Sequence, residues 1–415
     1  MKLPLPVRIF LTLSIVLDSL CLAVMEVQKY VFHRGFPYSS QFVSPPRFYD
    51  LTSFTARFQH FHQLDFFSQA PSFGEHFLYP APDALLYEIF YASGWHIIRL
   101  FFLITIPLLA VLGVMLGREM VRRGVGLGIA ALFLSLAALL SYPFWIEYAL
   151  GNMEIFIFLM VAFGVVAFLH DRLILSAVLI GIAASMKIFP FVYLALFVTR
   201  KRYKEVGLGI AVAAIVDLVS LWLLCPSLSV SYHGVKAGLT EFEYRYILQF
   251  HAMETGFDHS LFGFMKSLLH HFVGSILSKR LLTAYMAFAS VAGLALYFLR
   301  IRFLPILNQI LCLCVASILL PPTSHDYTLI HLYVPWGLMV LYAIGEARVG
   351  RKTDGLVAAF VCLAILMSAE SELVYRSLGH SGQLKAVVLV VLMYIGLKYR
   401  FGSTESPDVR VAVQV

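Results

Sequence analysis

The sequence has little charge. Only 13% of its 415 residues are Asp, Glu, Lys or Arg, about half the share usual in soluble proteins. That scarcity excludes a disordered chain, which needs high charge and few apolar groups. It also excludes a soluble globular enzyme. Cysteine is scarce too: there are five, with neither the pattern of a disulfide framework nor zinc spacing. Cys312 and Cys314 are two residues apart and so fall on different helix faces, which argues against a metal site there. No carboxylate cluster with the look of a divalent-cation site is present, so no metal cofactor is expected. No internal repeat of two halves is visible, and this disfavours an inverted-repeat transporter.

What the sequence has instead is apolar bulk. Hydrophobic residues make up 60% of the chain, in blocks of roughly 15–25 residues, about the length that spans a bilayer. The net charge of +7 is carried by basic clusters flanking those blocks. It is read as a topology signal under the positive-inside rule rather than as a nucleic-acid footprint.

The first block, about 9–31, contains Asp18 and lacks a small-residue cleavage site. It reads as an uncleaved first span with the N-terminus in the cytoplasm. A polar and aromatic outer segment follows at 32–93. Spans are expected near 95–117 (ended by Arg118, Arg122 and Arg123), 125–143 and 152–169 (ended by His170, Asp171 and Arg172). The stretch 173–199 is interrupted by Lys187 and Pro190 and followed by Arg200, Lys201, Arg202 and Lys204. A single crossing would put that basic run outside. Two half-length helices turning near Met186–Lys187 would return it to the cytoplasm, and Pro190 supplies a reason for the break. The broken form is therefore expected. Next come a span at 205–224, a second outer segment at 226–279, and spans near 281–299, 304–320, 328–345, 355–369 and 385–398. The fold class is all-α: a polytopic membrane helix bundle of about eleven or twelve segments. Residues 1–400 are read as one integral membrane domain and 401–415 as a short cytoplasmic tail.

Residues 50–64 place Leu51, Phe54, Phe58 and Phe61 on one helical face and Thr52, Arg57, Gln59 and His60 off it. Residues 260–272 repeat the theme, with Leu261, Phe264, Leu268 and Phe272 apolar and Lys266, His270 and His271 polar. Both are expected to be amphipathic helices at the outer interface, the second capped by Ser260 or Asp258. Asp50 opens the first. It is either a general base at the membrane surface or an N-cap to Thr52 or Ser53, and the two roles are compatible. Asp65 reads as a solvated loop acid. In PPTSHDYTLIH, residues 321–331, His325, Asp326 and Tyr327 stand in a row, with His331 a helical turn past Tyr327 on the same side. They are either a polar helix start capped by Asp326 or Ser324, or a phosphate or sugar contact. Lys187 within apolar sequence is either paired, with Asp18 or Asp217, or a cation for an anionic lipid head-group.

These residues sit in a pattern that resembles glycosyltransferase family 87. The block GNMEIFIFLMVAFGVVAFLHDRLILSAVLIGIAASMKIFPFVYLALFVTRKRYKE at 151–205 carries the likeness, with Asn152, Gly181, Lys187 and Pro190 followed by the basic run. Asp50, FLYPAP at 77–82, HSLFGFMKSL at 259–268 and SHDYTLIHLYVP at 324–335 are similar to other elements of the family. In the first loop the chain departs from the family's pattern, having Asp50-Leu51 and a Phe- and His-rich helix where Asp-Phe and a Tyr-rich helix are usual.

The resemblance implies a GT-C fold and transfer of a sugar, mannose first and arabinose second, from a polyprenyl phosphate donor to a glycolipid or glycan acceptor, with inversion. It implies Asp50 as the base, with Asn152, Lys187, Arg245, His325, Asp326, Tyr327 and His331 binding donor or substrate. Arg245 rests only on its place in the second outer segment, where a solvated or paired Arg is the alternative. No cofactor beyond the lipid-linked donor is implied, and the partners are that donor, the acceptor and membrane lipids. The implied location is a bacterial plasma membrane with the site outside. A transporter or flippase, suggested by Asp18, Lys187 and Asp217, and a lipid-linked glycan ligase or polymerase stand as alternatives.

Overall fold

The computed structural model describes residues 3–31, 48–52, 55–67, 78–93, 96–250, 256–273, 277–350, 355–369 and 381–402. Phe54 and the tail 403–415 lie outside these, as do the side chains of His270, His271 and Phe272. Among the described residues the chain forms helices and no strand. Five helices are long and apolar enough to cross a membrane, and one bent pair adds a sixth candidate. Several shorter apolar helices fill the expected positions between them. The protein is an all-α polytopic bundle.

The chain divides into two compact units. One comprises residues 45–109 and 147–249. It holds α2 (Tyr49–Thr52), α3 (Thr55–Phe58), α4 (Ala81–Ala92), the first half of α5 (Ile97–Arg122), the end of α7 (Tyr142–Leu150), α8 (Glu154–Leu169), α9 (Leu173–Met186), α10 (Ala195–Thr199), α11 (Tyr203–Leu224) and α12 (Leu228–Phe242). Its core is α8, buried along almost its whole length. Helices α9 and α11 cross so closely that a Cβ on Gly181 would stand 2.5 Å from the Gly209 carbonyl oxygen. Small residues at a crossing let backbones approach where lipid offers no hydrophobic drive.

The break expected near Lys187 is present. Lys187 leaves helical geometry (φ −144°, ψ 143°) directly after α9. A 3-10 turn, Phe189–Leu194, with Pro190 near its start, leads into α10. Arg200 Nη1 then donates to Asp171 Oδ1 at 2.7 Å, and its guanidinium lies 4.0 Å over the Phe168 ring. Asp171 precedes α9 and Arg200 follows α10, so the chain returns to the end from which α9 left.

The other unit comprises residues 1–44, 110–146 and 250–415. It holds α1 (Leu5–Tyr30), the second half of α5, α6 (Leu127–Leu139), most of α7, α13 (Leu261–Val273), α14 (Lys279–Leu299), α15 (Ile306–Leu319), α16 (Tyr333–Val349), α17 (Leu356–Ser368) and α18 (Ser381–Lys398). Trp336 centres its core, 5.6 Å from Phe133 and 5.5 Å from Phe10, which also meets Phe360. Buried Asn308 donates to the Gly396 and Tyr399 carbonyls and accepts the Phe401 N–H, closing the end of α18.

Two amphipathic expectations are met only in part. Residues 49–52 and 55–58 are helical, and turns follow at 59–67, so no helix runs on to 64. Leu51 and Phe58 are buried as expected, but so is Arg57, whose Nη1 donates to the Phe66 carbonyl at 2.6 Å. That bond folds the segment back on itself and replaces a continuing helix. In α13 the buried residues are Phe262, Gly263 and Lys266, while Leu268 is 59% exposed. Of the residues read as polar, Lys266 is buried, and of those read as apolar, Leu268 is exposed. Where lipid surrounds a helix, exposure and polarity need not coincide.

Candidate active site

In the 45–109/147–249 unit, the turn between α7 and α8 holds Asp50. The Phe48 N–H donates to the Ala149 carbonyl at 2.7 Å. Gly151 has φ 67°, and a Cβ there would stand 2.9 Å from the Leu51 Cβ. Only glycine fits both demands. Next to it, Asn152 Nδ2 donates to Asp50 Oδ2 at 2.7 Å. The Asn152 Oδ1 accepts the Glu154 N–H at 2.9 Å, so one side chain opens α8 and anchors Asp50. Asp50 itself sits in the first turn of α2 rather than at its cap. Asn152 engages one of its carboxyl oxygens across a tertiary contact; Ser53, one of the two N–H groups it was expected to cap, lies outside the described residues.

Lys187 forms an ion pair with Glu154, which is fully buried. Glu154 is a partner that the sequence reading did not name. The Lys187 charge is also felt at Asp50 and Asp83. Asp83, in the first turn of α4, is 1% exposed, and Glu147, near the end of α7, is 0% exposed. Burial pushes the Asp50 carboxyl above its ordinary 3.8, while the Asn152 hydrogen bond and the Lys187 ammonium pull it down. Burial also holds the Asp83 carboxyl well above its ordinary range, against the pull of Lys187. Asp50, Asn152 and Lys187 therefore gather in one place. Arg245 is instead paired with Glu241 on the adjoining turn of its own helix and is 40% exposed at the side chain. Asp65 is an exposed loop acid paired with His60, as expected.

The other unit carries a second buried polar cluster. Asp258 Oδ1 accepts the Ser260 and Ser324 N–H groups, both at 2.9 Å. Ser260 Oγ accepts the Gly263 N–H at 2.8 Å, so the expected cap of α13 is in place. His259 Nε2 meets Thr328 Oγ1 and Ser324 Oγ, each at 3.2 Å. Asp326 accepts from Tyr142 at 2.9 Å and from Lys385 Nζ at 3.1 Å. Neither Asp326 nor Ser324 caps the following helix, because both are engaged in this cluster. Burial pushes the His259 imidazole down to about 3, with Asp326 opposing.

Residues 326–332 form a 3-10 helix, so four residues do not return to the same face. His331 is accordingly fully buried while Tyr327 is half-buried, and the expected shared face is absent. His325 is also half-buried, with Nε2 3.3 Å from Thr323 Oγ1.

Sequence reasoning missed Asp83, Glu147, Glu154, His259 and Lys385 as members of these clusters. The available signal was a charge inside apolar sequence, which marks Glu154 and Glu147. The pairing Asp326–Lys385 carries no local signal.

Long apolar helices with exposed aliphatic surfaces, together with a carboxylate anchored in an acidic cluster, define a multi-pass membrane protein with an enzyme-like site. The chain matches the model of glycosyltransferase family 87 over residues 77–368, more than half its length, and it belongs to that family. Asp50 precedes the matched region and Lys385 follows it. Searches of curated proteins and of solved structures found no match.

Proposed function

We propose that the protein transfers a sugar, mannose in the first instance, from a polyprenyl phosphate donor to a hydroxyl of a lipid-linked or polysaccharide acceptor. The observation that carries this reading is the Asp50 carboxylate, anchored at 2.7 Å by Asn152 beside Lys187, in a chain of this family. Asp50 takes the acceptor's proton as the acceptor oxygen bonds to the anomeric carbon. The bond from that carbon to the phosphate oxygen breaks, and the polyprenyl phosphate leaves with the electron pair, so configuration inverts. The Lys187 ammonium, held by Glu154, supplies positive charge beside the phosphate that gains charge as it leaves. His325 and Tyr327, half-buried in the second cluster, are the further groups proposed to meet substrate. Asp326 and His331 support that segment from within. The fold proposed is of the GT-C type, in a bacterial plasma membrane, with the site outside and both termini in the cytoplasm.

The test is reconstitution of the protein in vesicles with radiolabelled polyprenyl phosphate sugars, nucleotide sugars and a panel of glycolipid and glycan acceptors. The expected result is transfer from the polyprenyl phosphate donor alone. Label crossing the vesicle membrane without transfer from any donor would sink the proposal in favour of transport.

A further inference from the structure

Two buried acids in the Asp50 unit have no role in the chemistry above. Glu147 is fully buried, and neither of its carboxyl oxygens has a hydrogen-bond partner among the described residues. The Ile155 N–H is turned toward it and pulls its carboxyl down, without closing to hydrogen-bond geometry. The Oδ1 of Asp83 is likewise buried without a partner. Native proteins satisfy nearly all such groups, because each one left unmade costs about 1–3 kcal/mol. These two are not scattered. Glu147 belongs to the turn that mounts Asp50, its carbonyl accepting the Gly151 and Asn152 N–H groups at 2.8 and 3.3 Å. The charges of Glu154, Lys187 and Asp50 are felt at Glu147, and those of Lys187 and Glu154 at Asp83, so both acids border the proposed base and the cation.

The chemistry of the missing partner follows from that arrangement. A metal ion needs several converging ligands, and no group of three or more metal-binding side chains comes together among the described residues. The cation felt at both acids, Lys187, is itself ion-paired with Glu154. A hydroxyl fits: it donates to an ionised carboxyl and exchanges both kinds of hydrogen bond with a neutral one. A sugar brings several hydroxyls on adjacent carbons.

We infer that Asp83 and Glu147 read the transferred sugar, exchanging hydrogen bonds with its ring hydroxyls, and so set which sugar the site accepts. This rests on the transferase reading. Asp50 attends to the acceptor and Lys187 to the phosphate, which leaves the sugar ring between them for the two acids. Their position in one unit places sugar recognition beside the base.

The experiment measures binding to the full-length protein in nanodiscs. The probes are undecaprenyl phosphate mannose, its monodeoxy analogues and undecaprenyl phosphate without sugar. The parent is expected to prefer the sugar-bearing lipid and to reject at least one deoxy analogue strongly, by roughly 10⁴-fold where a site is built around a hydroxyl. Glu147→Met and Asp83→Leu should each bring discrimination against one deoxy analogue below about tenfold. Glu147→Gln, which can still hydrogen-bond, should restore part of it. Discrimination is a ratio within one variant, so a reduced folded fraction does not mimic the effect. If Glu147→Met and Asp83→Leu both keep the parent's discrimination, the inference is overturned while the donor reading stands. If the parent itself shows no preference for the sugar-bearing lipid, the transferase reading falls with it.

Discussion

Asn152 is the residue that anchors Asp50, the proposed base. Its Nδ2 donates to the carboxylate, and a hydrogen bond to the charged form favours that form. Burial works the other way and is the larger effect. The proposed base must be ionised to accept a proton, so transfer is expected to fail as pH falls through the raised value of Asp50. Removing the Asn152 amide takes away a bond that holds the value down. Asn152→Ala should therefore move the acid limb of the kcat/KM profile to higher pH. An unmoved limb in a folded Asn152→Ala variant would dissociate the two residues. Asp50, Asn152 and Lys187 were legible because each stands out against apolar sequence or opens a segment. Glu154 and Glu147 are equally out of place in apolar helices, but their significance depends on contacts with residues distant in the chain. Asp83 reads as an ordinary acid in the first turn of a helix, and only its burial distinguishes it.

At the scale of elements, the turn between α7 and α8 is the mount for the site. Gly151→Ala places a side chain at φ 67° and against Leu51. The left-handed conformation alone costs about 1–2 kcal/mol, and the collision pushes the Asp50 segment away. Activity should fall more than stability does, measured as kcat/KM against Tm. Equal losses would reduce Gly151 to a packing role. In the other unit, His259 ties the start of α13 to the 3-10 helix at 326–332. Its imidazole titrates near 3 when folded, against an ordinary 6.5. Between those values the unfolded chain binds the extra proton, so stability rises with pH across the window and is lost as pH falls. Parent Tm should drop from pH 6.5 toward 4, and His259→Asn should flatten that dependence. An unchanged slope would assign the acid sensitivity elsewhere. The break at Lys187 was legible from one proline, one misplaced charge and the basic run beyond. The burial of Lys266 in α13 was not, because an amphipathic pattern marks a residue as polar without saying what will cover it.

For the whole molecule, composition alone established the class. The 60% hydrophobic fraction and the placing of the basic clusters gave most apolar helices their approximate positions, but not α4 and α12, which lie in the stretches read as outer segments. They could not give the pairings that build either polar cluster, since Asp50–Asn152 and Asp326–Lys385 join segments far apart in sequence. The returning geometry of 173–200 has a consequence for topology. Positions 171 and 201 belong to the same end of their unit, where Arg200 meets Asp171. Single cysteines there should both react with a membrane-impermeant maleimide from the cytoplasmic side; the native cysteines are all buried. Labelling from opposite sides would mean that the stretch crosses once.

The central claim is that Asp50 is the general base of a sugar transfer. Its most direct measurement is the single-turnover rate with a polyprenyl phosphate sugar for the parent and for Asp50→Asn, the variant's fold being checked by its Tm. Loss of a positioned base should slow transfer by about 10²–10⁴-fold with donor binding retained. A folded Asp50→Asn protein that transfers sugar as fast as the parent would contradict it.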